Sequence, residues 1–580
     1  MQNPFSKIPE RNKLLLLSLV VGITSGLAAV LLRWLIDVIK DFANGEFISS
    51  AFNWQYLVLP GLGVLISMLL VRYLIRDNIG HGVTKALLAV SRNESRIKPH
   101  NTWSSILTSS ITIGFGGSVG AEAPIVYTGA AIGSNLGRIS GLSHRSVTTL
   151  LGCGAAGAVA GIFKAPLAGV LFTMEILMFN LSLKTMLPML ISSISATVVA
   201  YIFCGQNPSF ACTLTTFSIG NIPFYIILGV VGAFAALYFT RTTLWLEDKF
   251  SKFENAYLKW VLCAVALGLL IFLFPPLYGE GYDSMLALLN GHEISLESGS
   301  LLSFLMAYPW GIVIFFVFVF FAKVLAMTLT NAGGGVGGTF GPTLFSGAIL
   351  GFAVARSLNL LGAGVPEQNF VLVGMAALMA SVMQAPMTAI FLIAEISGGY
   401  ELLIPLIITA TISFGVSRMI EPYSIYTKRI AKKGELLTHD SDQAVLTLLK
   451  TSDLIESNFT PVAIDATLGE LVEAVAISTR NIFPVLDSQG RFQGFVSLED
   501  IRRDMFKKEE YDALHVFNFM KSSPEYVYVD EKMDSVMKKF EKTDAWNLPV
   551  VDENRVYVGF VSKSKIFSAY RAQLKVVSHE

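Results

Sequence analysis

A single glutamate inside a glycine-rich stretch offers the clearest chemistry in this chain. Glu122 lies in the segment 116–124, GGSVGAEAP, which leads into an apolar run. Glycines followed by a proline are typical of a helix start, where free backbone N–H groups and the helix dipole attract anions. A carboxylate at membrane depth can occupy the amides that an anion would use and can release them when it is protonated. Glu122 is therefore predicted to gate an anion site, and the alternative that it only caps its own helix stays open.

The same pattern occurs a second time, 218 residues further on. Residues 116–138 align without gaps onto residues 334–356, GGVGGTFGPTLFSGAILGFAVAR, and eight positions are identical. The repeat predicts two helix starts that hold an anion between them with backbone dipoles. A full charge on a lysine or arginine is not needed there, and it would bind the anion too tightly for release.

The charged residues divide the chain in two. The net charge is zero, with 43 basic and 43 acidic residues, and 53% of the residues are hydrophobic. Residues 441–580 hold 39 of the 86 charges, whereas the much longer segment 1–440 holds only 47. This distribution excludes a disordered chain and a nucleic-acid binder that relies on net basic charge. It predicts a membrane body, residues 1–435, followed by a soluble tail, residues 436–580.

The membrane body is predicted to be all-α and to cross the bilayer many times. A spanning helix needs about 20 apolar residues. Stretches of suitable length lie near 14–36, 55–75, 185–204, 222–240, 258–275, 303–328 and 402–418. The regions 103–180 and 333–397 are apolar but broken by Gly and Pro, as in transporters that build ion sites from broken helices. The repeat divides the body into two halves, about 10–205 and 220–420.

Basic residues flank the body at both ends. They are Lys7, Arg11 and Lys13 before the first apolar run and Lys428, Arg429, Lys432 and Lys433 after the last. Both termini are therefore expected in the cytoplasm, with the body in the inner membrane if the organism is bacterial. If each half crosses the bilayer an odd number of times, the two halves must be inverted relative to each other. The first apolar run is too long for a cleaved signal peptide.

These motifs, in this order, resemble those of the CLC family of chloride channels and chloride/proton antiporters. Residues 120–124, GAEAP, are similar to the family's GxEGP segment, and residues 338–342, GTFGP, fit GxFxP. Residues 80–84, GHGVT, stand in the place of GSGIP. Tyr423, in EPYSIYTKR, resembles the tyrosine that follows the family's last membrane helix. The resemblance covers about residues 10–435 and implies a homodimer of tilted, broken helices with one pore in each subunit.

The resemblance implies that Glu122 is the gating glutamate of an anion pore. It also implies a set of anion-binding residues from four segments, supplying backbone amides or side-chain donors. They are His81, Gly82, Gly120, Ala121, Glu122, Thr339, Phe340 and Tyr423. The hydroxyl of Tyr423 would touch the central anion.

Two departures from the family's motifs bear on mechanism. His81 replaces the serine that helps to choose chloride, and Thr84 replaces the proline that follows, so the choice of anion stays open. A histidine turned away from the pore is the alternative to a pH-sensitive donor. Ile176 stands where many antiporters carry a proton-transferring acid, beside Glu175, which is expected to be structural because Glu395 repeats it. Channel and antiporter therefore both stay open.

The soluble tail contains a repeat of its own. Residues 465–497 align without gaps onto residues 530–562, and each copy reads as a helix, two apolar strands and a second helix. The copies, about 451–508 and 516–572, resemble a pair of CBS domains, which are α/β modules that often bind adenine nucleotides.

The CBS resemblance implies a nucleotide contact in the first copy more clearly than in the second. Ser497 and Asp500 match the ribose-contacting pair of the family. Ser562 matches the serine in the second copy, but Lys565 stands where its acid would be. Adenine nucleotide binding and a purely structural dimerisation role both stay open.

Two classes of function follow from these patterns. The first is anion transport, as a channel or a chloride/proton antiporter, and the second is a membrane sensor of anions or nucleotides that signals through its tail. The expected partners are chloride or another small anion, protons, lipid and a second copy of the chain. No required cofactor, metal site or nucleic acid is expected. The sequence lacks the HExxH and P-loop patterns, which argues against an enzyme or a nucleotide-driven pump.

Overall fold

A computed structural model describes residues 9–45, 54–77, 79–92, 95–179, 182–208, 210, 214–291, 302–432, 449 and 451–578. The chain divides into two units, residues 1–435 and 436–580.

The first unit is built from α-helices, as its apolar and glycine-rich composition predicts. In chain order its helices are α1 Glu10–Gly45, α2 Gln55–Leu69, α3 Gly82–Arg92, α4 Ser104–Gly114, α5 Glu122–Ile139, α6 His144–Phe163, α7 Pro166–Ile176, α8 Leu183–Cys204, α9 Ile222–Ser251, α10 Ala256–Leu273, α11 Tyr282–Leu289, α12 Pro309–Ala332, α13 Phe340–Leu360, α14 Glu367–Val382, α15 Pro386–Ile396, α16 Leu403–Ile420 and α17 Ile425–Lys432. A π-helical turn, Leu70–Ile75, extends α2.

The described residues include nine helices that are long and apolar enough to cross a membrane. Seven of them overlap the seven apolar stretches identified in the sequence. The other two, α6 and α13, lie in the regions that glycine and proline interrupt, and 89% of the most apolar window of α6 is buried. These interrupted regions therefore form the protein-facing interior of the unit, where helix ends can be accommodated away from lipid.

The two halves have their helices in the same order, α1–α8 and α9–α16. In both halves, glycines allow neighbouring helices to cross closely. A Cβ built on Gly133 of α5 would lie 2.0 Å from the carbonyl oxygen of Leu150 on α6. A Cβ on Gly351, its repeat partner on α13, would lie 2.0 Å from the carbonyl oxygen of Phe370 on α14. Only glycine permits such backbone contact. The repeated glycines therefore allow close crossing of neighbouring helices, in addition to their role at the helix starts.

Two acidic residues show how the halves are joined. Glu175, at the end of α7, accepts a hydrogen bond from the backbone N–H of Thr388 in the first turn of α15, at 2.7 Å. Glu395, at the end of α15, accepts one from the backbone N–H of Ala168 in the first turn of α7, at 2.9 Å. Each carboxylate caps the helix of the other half, so the two halves are related by a pseudo-two-fold axis. This geometry agrees with the structural role expected for Glu175.

The second unit consists of two similar α/β modules. The elements in chain order are β1 Val462–Ala463, α18 Leu468–Ile477, β2 Ile482–Leu486, β3 Phe492–Ser497, α19 Leu498–Ile501, β4 Val527–Tyr528, α20 Met533–Thr543, β5 Asn547–Val551, β6 Tyr557–Ser562 and α21 Lys563–Ser578. They form two three-stranded sheets, β1-β2-β3 and β4-β5-β6, in which the first pair is parallel and the second antiparallel. Both antiparallel pairs have a register shift at the same place, after Val485 and after Val550. The predicted α/β tail is therefore confirmed.

Candidate anion site

The two glycine-rich segments meet each other at the starts of α5 and α13. The backbone N–H of Gly120 donates to the carbonyl of Gly338 at 3.1 Å, and the N–H of Gly338 donates to the carbonyl of Gly120 at 2.7 Å. These two glycines are repeat partners, so the antiparallel bridge lies on the pseudo-two-fold axis. The two helix starts are thus brought together, as the sequence repeat predicts.

The carboxylate of Glu122 lies between these helix starts. Its side chain is buried, and its Oε2 accepts a hydrogen bond from the backbone N–H of Gly341, in the first turn of α13, at 3.1 Å. Its Oε1 accepts a hydrogen bond from the hydroxyl of Tyr282. The N–H of Glu122 itself also contacts the carboxylate. Glu122 therefore occupies amides of both halves and does more than cap its own helix.

Space for this carboxylate depends on a glycine at position 120. A Cβ on Gly120 would lie 2.1 Å from Oε2 of Glu122 and 2.8 Å from the backbone nitrogen of Gly341. No side chain fits there without moving the carboxylate. The glycine thus lets a charged group reach backbone donors that an anion would also use.

The tyrosine at this site is not the one that the sequence resemblance selects. The hydroxyl of Tyr426 lies 3.4 Å from Oγ1 of Thr339, its donor, and the side chain is 2% exposed. Tyr423 is 39% exposed and precedes α17. The prediction for Tyr423 is corrected to Tyr426, because the first turn of α17 directs Tyr426, rather than Tyr423, toward the start of α13.

His81 and Gly82 lie at the start of α3, but the imidazole is directed elsewhere. His81 Nε2 lies 3.7 Å from Oε1 of Glu247 on α9, and that carboxylate also accepts two hydrogen bonds from Arg429. A Cβ on Gly82 would lie 2.5 Å from the carbonyl oxygen of Ala123, so the start of α3 packs directly on α5. The backbone at this position is therefore close to the site, while the imidazole faces an ion pair.

Phe340 opens α13 and is held by two other aromatic rings. Its ring centroid lies 5.4 Å from that of Phe163 and 5.9 Å from that of Phe172, and the side chain is buried.

Ile176, at the end of α7, is buried in the apolar core. An apolar side chain there cannot take or give a proton.

Three residues near Glu122 were not identified from the sequence: Tyr282, Glu280 and Lys323. Glu280 accepts a hydrogen bond from the backbone N–H of Ala121 at 3.0 Å. Lys323 is fully buried in α12 and donates to Oγ of Ser118 at 2.9 Å. A signal for Lys323 was present, because a lysine inside a long apolar helix is by default a functional candidate. Glu280 and Tyr282 lie between apolar segments without any repeated motif.

The predicted nucleotide residues of the tail bind to neighbouring side chains. Ser497 Oγ donates to Oδ2 of Asp500 at 2.7 Å, and Lys521 also donates to this carboxylate. Burial raises the pKa of Asp500, but the hydrogen bonds from Lys521 and Ser497 outweigh it and hold the pKa below its ordinary value. Ser562 Oγ donates to Oε1 of Glu456 at 2.6 Å. The first copy thus keeps a serine–aspartate pair, whereas Ser562 of the second copy forms a hydrogen bond with Glu456 instead.

Across the described part of the chain, no group of three or more His, Cys, Asp or Glu side chains is arranged to hold a metal ion. The described groups around Glu122 are backbone amides, hydroxyls and carboxylates, together with the buried ammonium of Lys323.

Comparison with known proteins agrees with this architecture. The sequence profile of the voltage gated chloride channel family matches residues 62–418, and the CBS domain profile matches residues 452–507 and 516–572. The chain belongs to the voltage gated chloride channel (CLC) family and carries two CBS domains. It is an integral, multi-pass membrane protein.

Several relatives and solved structures are similar over most of the membrane unit. The H(+)/Cl(-) exchange transporter ClcA of Citrobacter koseri is 27% identical over 452 residues, which cover 74% of this chain and 90% of that protein. A slow cyanobacterial Cl−/H+ antiporter shares 23% identity with a TM-score of 0.63, over 73% of this chain and 98% of that one. A eukaryotic CLC transporter shares 17% identity with a TM-score of 0.59, over 95% of this chain and 97% of that one. These structures have the same fold, which confirms the predicted fold class.

Proposed function

We propose that this protein moves chloride across a membrane in exchange for protons, with Glu122 as both the gate and the proton carrier. The observation that carries this proposal is the hydrogen bond from the N–H of Gly341 to the Glu122 carboxylate, at 3.1 Å. An anion bound between α5 and α13 would use the same donor. A proton taken up by Glu122 removes its charge and frees that donor for the anion.

The named activity of the relatives supports transport over sensing. Relatives 27% identical over about three quarters of this chain carry the name H(+)/Cl(-) exchange transporter. The alternative of a membrane sensor that signals through its tail is not favoured by these relatives. Ile176, which replaces a proton-transferring acid, is the feature of this chain that favours a channel instead.

Reconstitution of the full-length protein into sealed vesicles tests the proposal. We expect an imposed chloride gradient to drive protons uphill against their own gradient, because both ions use Glu122 in turn. Proton uptake is followed with a pH electrode and chloride release with a chloride electrode. Vesicles without protein are the control. Chloride flux without uphill proton movement would make the protein a channel, and absence of chloride flux would contradict transport altogether.

The central anion is proposed to contact the hydroxyl of Tyr426 and the backbone donors near Thr339 and Phe340. We expect Tyr426→Phe to weaken chloride binding about tenfold or more, since one hydrogen bond to an anion is lost. The matched control is Tyr423→Phe, three residues earlier, which should bind chloride like the wild type. Titration calorimetry of the purified proteins measures both. Equal affinities in the two variants would remove Tyr426 from the site.

Assembly and orientation of the membrane unit are also proposals. We propose a homodimer, as membership of the CLC family implies, with both termini in the cytoplasm. The basic residues Lys428 and Arg429 after the last membrane helix support this orientation. In the tail, we propose the first CBS module as the part that contacts an adenine nucleotide. Its Ser497 and Asp500 pair is intact, whereas Ser562 of the second module is held by Glu456.

A further inference from the structure

Glu280 uses a backbone donor at the start of α5, as Glu122 uses one at the start of α13. It lies between α10 and α11, and its Oε1 accepts the N–H of Ala121 at 3.0 Å. Glu122 accepts the N–H of Gly341 at 3.1 Å. Glu280 therefore occupies an amide at the start of α5, and Glu122 occupies an amide at the start of α13. Both amides belong to the glycine-rich segments that form the proposed anion site.

A buried lysine fixes the segment that carries Glu280. The Lys323 ammonium donates to the backbone carbonyls of Gly279 at 3.0 Å and Glu280 at 3.3 Å. It also donates to Oγ of Ser118, just before α5. The same segment supplies Tyr282, whose hydroxyl binds Glu122. One lysine thus ties α12, the start of α5 and this segment together.

Glu280 and Ala121 line an open cavity of about 110 Å³, and Glu122 is not among the residues that line it. The groups that face Glu280 come from every neighbouring element. They are Glu122 of α5, Lys323 of α12, Arg33, Asp37 and Lys40 of α1, and Tyr278, Tyr282 and Asp283 of its own segment. Lys40 and Asp283 form an ion pair, which leaves Arg33 as the cation of α1 that contributes to the field at Glu280. An anion that enters through this cavity meets Glu280 before Glu122.

The balance of acidic and basic groups around Glu280 bears on how an anion could enter the site. Besides the Lys40–Asp283 pair, the carboxylates of Glu122, Glu280 and Asp37 share this region with two cations, Lys323 and Arg33. The fully ionised site therefore has an excess of one negative charge. A chloride ion next to an ionised Glu280 would add a further negative charge and would lack the Ala121 donor. Like charges juxtaposed away from water are strongly unfavourable.

We propose that Glu280 is a second gate carboxylate, which holds the Ala121 amide on the cavity side and yields it to the anion only when protonated. The proposal rests on the proposed function, in which the anion uses these amides. It predicts that chloride entry from the cavity side requires two protonations, one on Glu122 and one on Glu280.

The wild-type protein provides a test that needs no variant. Chloride affinity of the purified full-length protein is measured by titration calorimetry from pH 5 to pH 8. We expect the logarithm of the dissociation constant to rise with pH with a slope that approaches two, because two protons accompany each chloride. A slope that never exceeds one would overturn the proposal.

Variants assign the second proton to Glu280. Chloride flux into vesicles is compared across external pH for Glu122→Gln, for Glu122→Gln combined with Glu280→Gln, and for Glu122→Gln combined with Asp283→Asn. We expect the first and third to keep a one-group pH dependence. The Glu280→Gln combination should be independent of pH and about tenfold faster at pH 7.5. Asp283→Asn is the matched control, because it removes a charge from the same cavity without touching the Ala121 amide.

The outcomes separate the two proposals. If flux through Glu122→Gln is already independent of external pH, Glu280 is a structural cap of α5 and the second gate is wrong. If Glu280→Gln does not change the pH dependence, the same conclusion holds. Absence of chloride flux in the wild type and in every variant contradicts the proposed function itself.

Discussion

Glu122→Gln abolishes proton movement while chloride flux continues; this is the largest functional effect that we expect from one substitution. Glutamine has nearly the shape of a protonated glutamate but cannot carry a proton. The N–H of Gly341, now bound by the carboxylate at 3.1 Å, would remain available to the anion. We expect uphill proton transport to fall about a hundredfold or more, since the proton-transfer group itself is lost. Chloride flux should stay within about tenfold of the wild type.

The best matched control is a partly buried acid that also binds a helix start of the opposite half. Glu395 accepts the N–H of Ala168 in the first turn of α7, as Glu122 accepts the N–H of Gly341 in α13. Glu395→Gln should keep the ratio of protons to chloride, because its carboxylate is a structural cap away from the anion site. The measurement is simultaneous proton and chloride flux in vesicles. An unchanged proton-to-chloride ratio in Glu122→Gln would contradict the role assigned to Glu122.

Gly133→Ala and Gly351→Ala are expected to cause large losses of stability. A Cβ at either position would lie 2.0 Å from a carbonyl oxygen of the helix that it crosses, so α5 and α6, or α13 and α14, must move apart. Overpacking of this kind costs typically about 1–3 kcal/mol, and backbone obstacles lie at the upper end. We expect both variants to unfold at lower temperature by similar amounts, because the two glycines are repeat partners.

Gly415→Ala in α16 is the control for these two variants. No heavy atom lies within 4 Å of a Cβ built there, so the added methyl group meets open space. Thermal unfolding in detergent, followed by intrinsic fluorescence or by size-exclusion of heated samples, compares all three. If Gly133→Ala is as stable as Gly415→Ala, the close helix crossing is not a stabilising contact.

The repeat made much of the fold predictable from the sequence. The match of residues 116–138 with residues 334–356 predicted paired helix starts, and these starts meet through Gly120 and Gly338. The repeat of Glu175 in Glu395 likewise predicted a structural role, and each acid caps the helix of the other half. Such predictions succeed because each glycine, proline or acid imposes a backbone requirement that its repeat partner shares.

Residues without a repeated motif could not be assigned in the same way. Tyr423 and Tyr426 lie three residues apart in EPYSIYTKR, and the choice between them depends on where α17 begins. Glu280 and Tyr282 reach Ala121 and Glu122 from a segment about 160 residues away, and no local pattern encodes that contact. Long-range packing determines which polar groups share a buried site, whereas the sequence shows only that they exist.

The bridge between Gly120 and Gly338 limits how the protein can expose its site to the two sides of a membrane. If the halves rocked against each other, each cycle would break two buried backbone hydrogen bonds, which costs free energy unless other partners replace them. We therefore expect the proposed exchange to proceed by rotation of individual side chains and short segments, with the contact between the two glycine-rich segments kept intact. In such a cycle the moving part would be the Glu122 side chain, and the two halves would stay fixed around it.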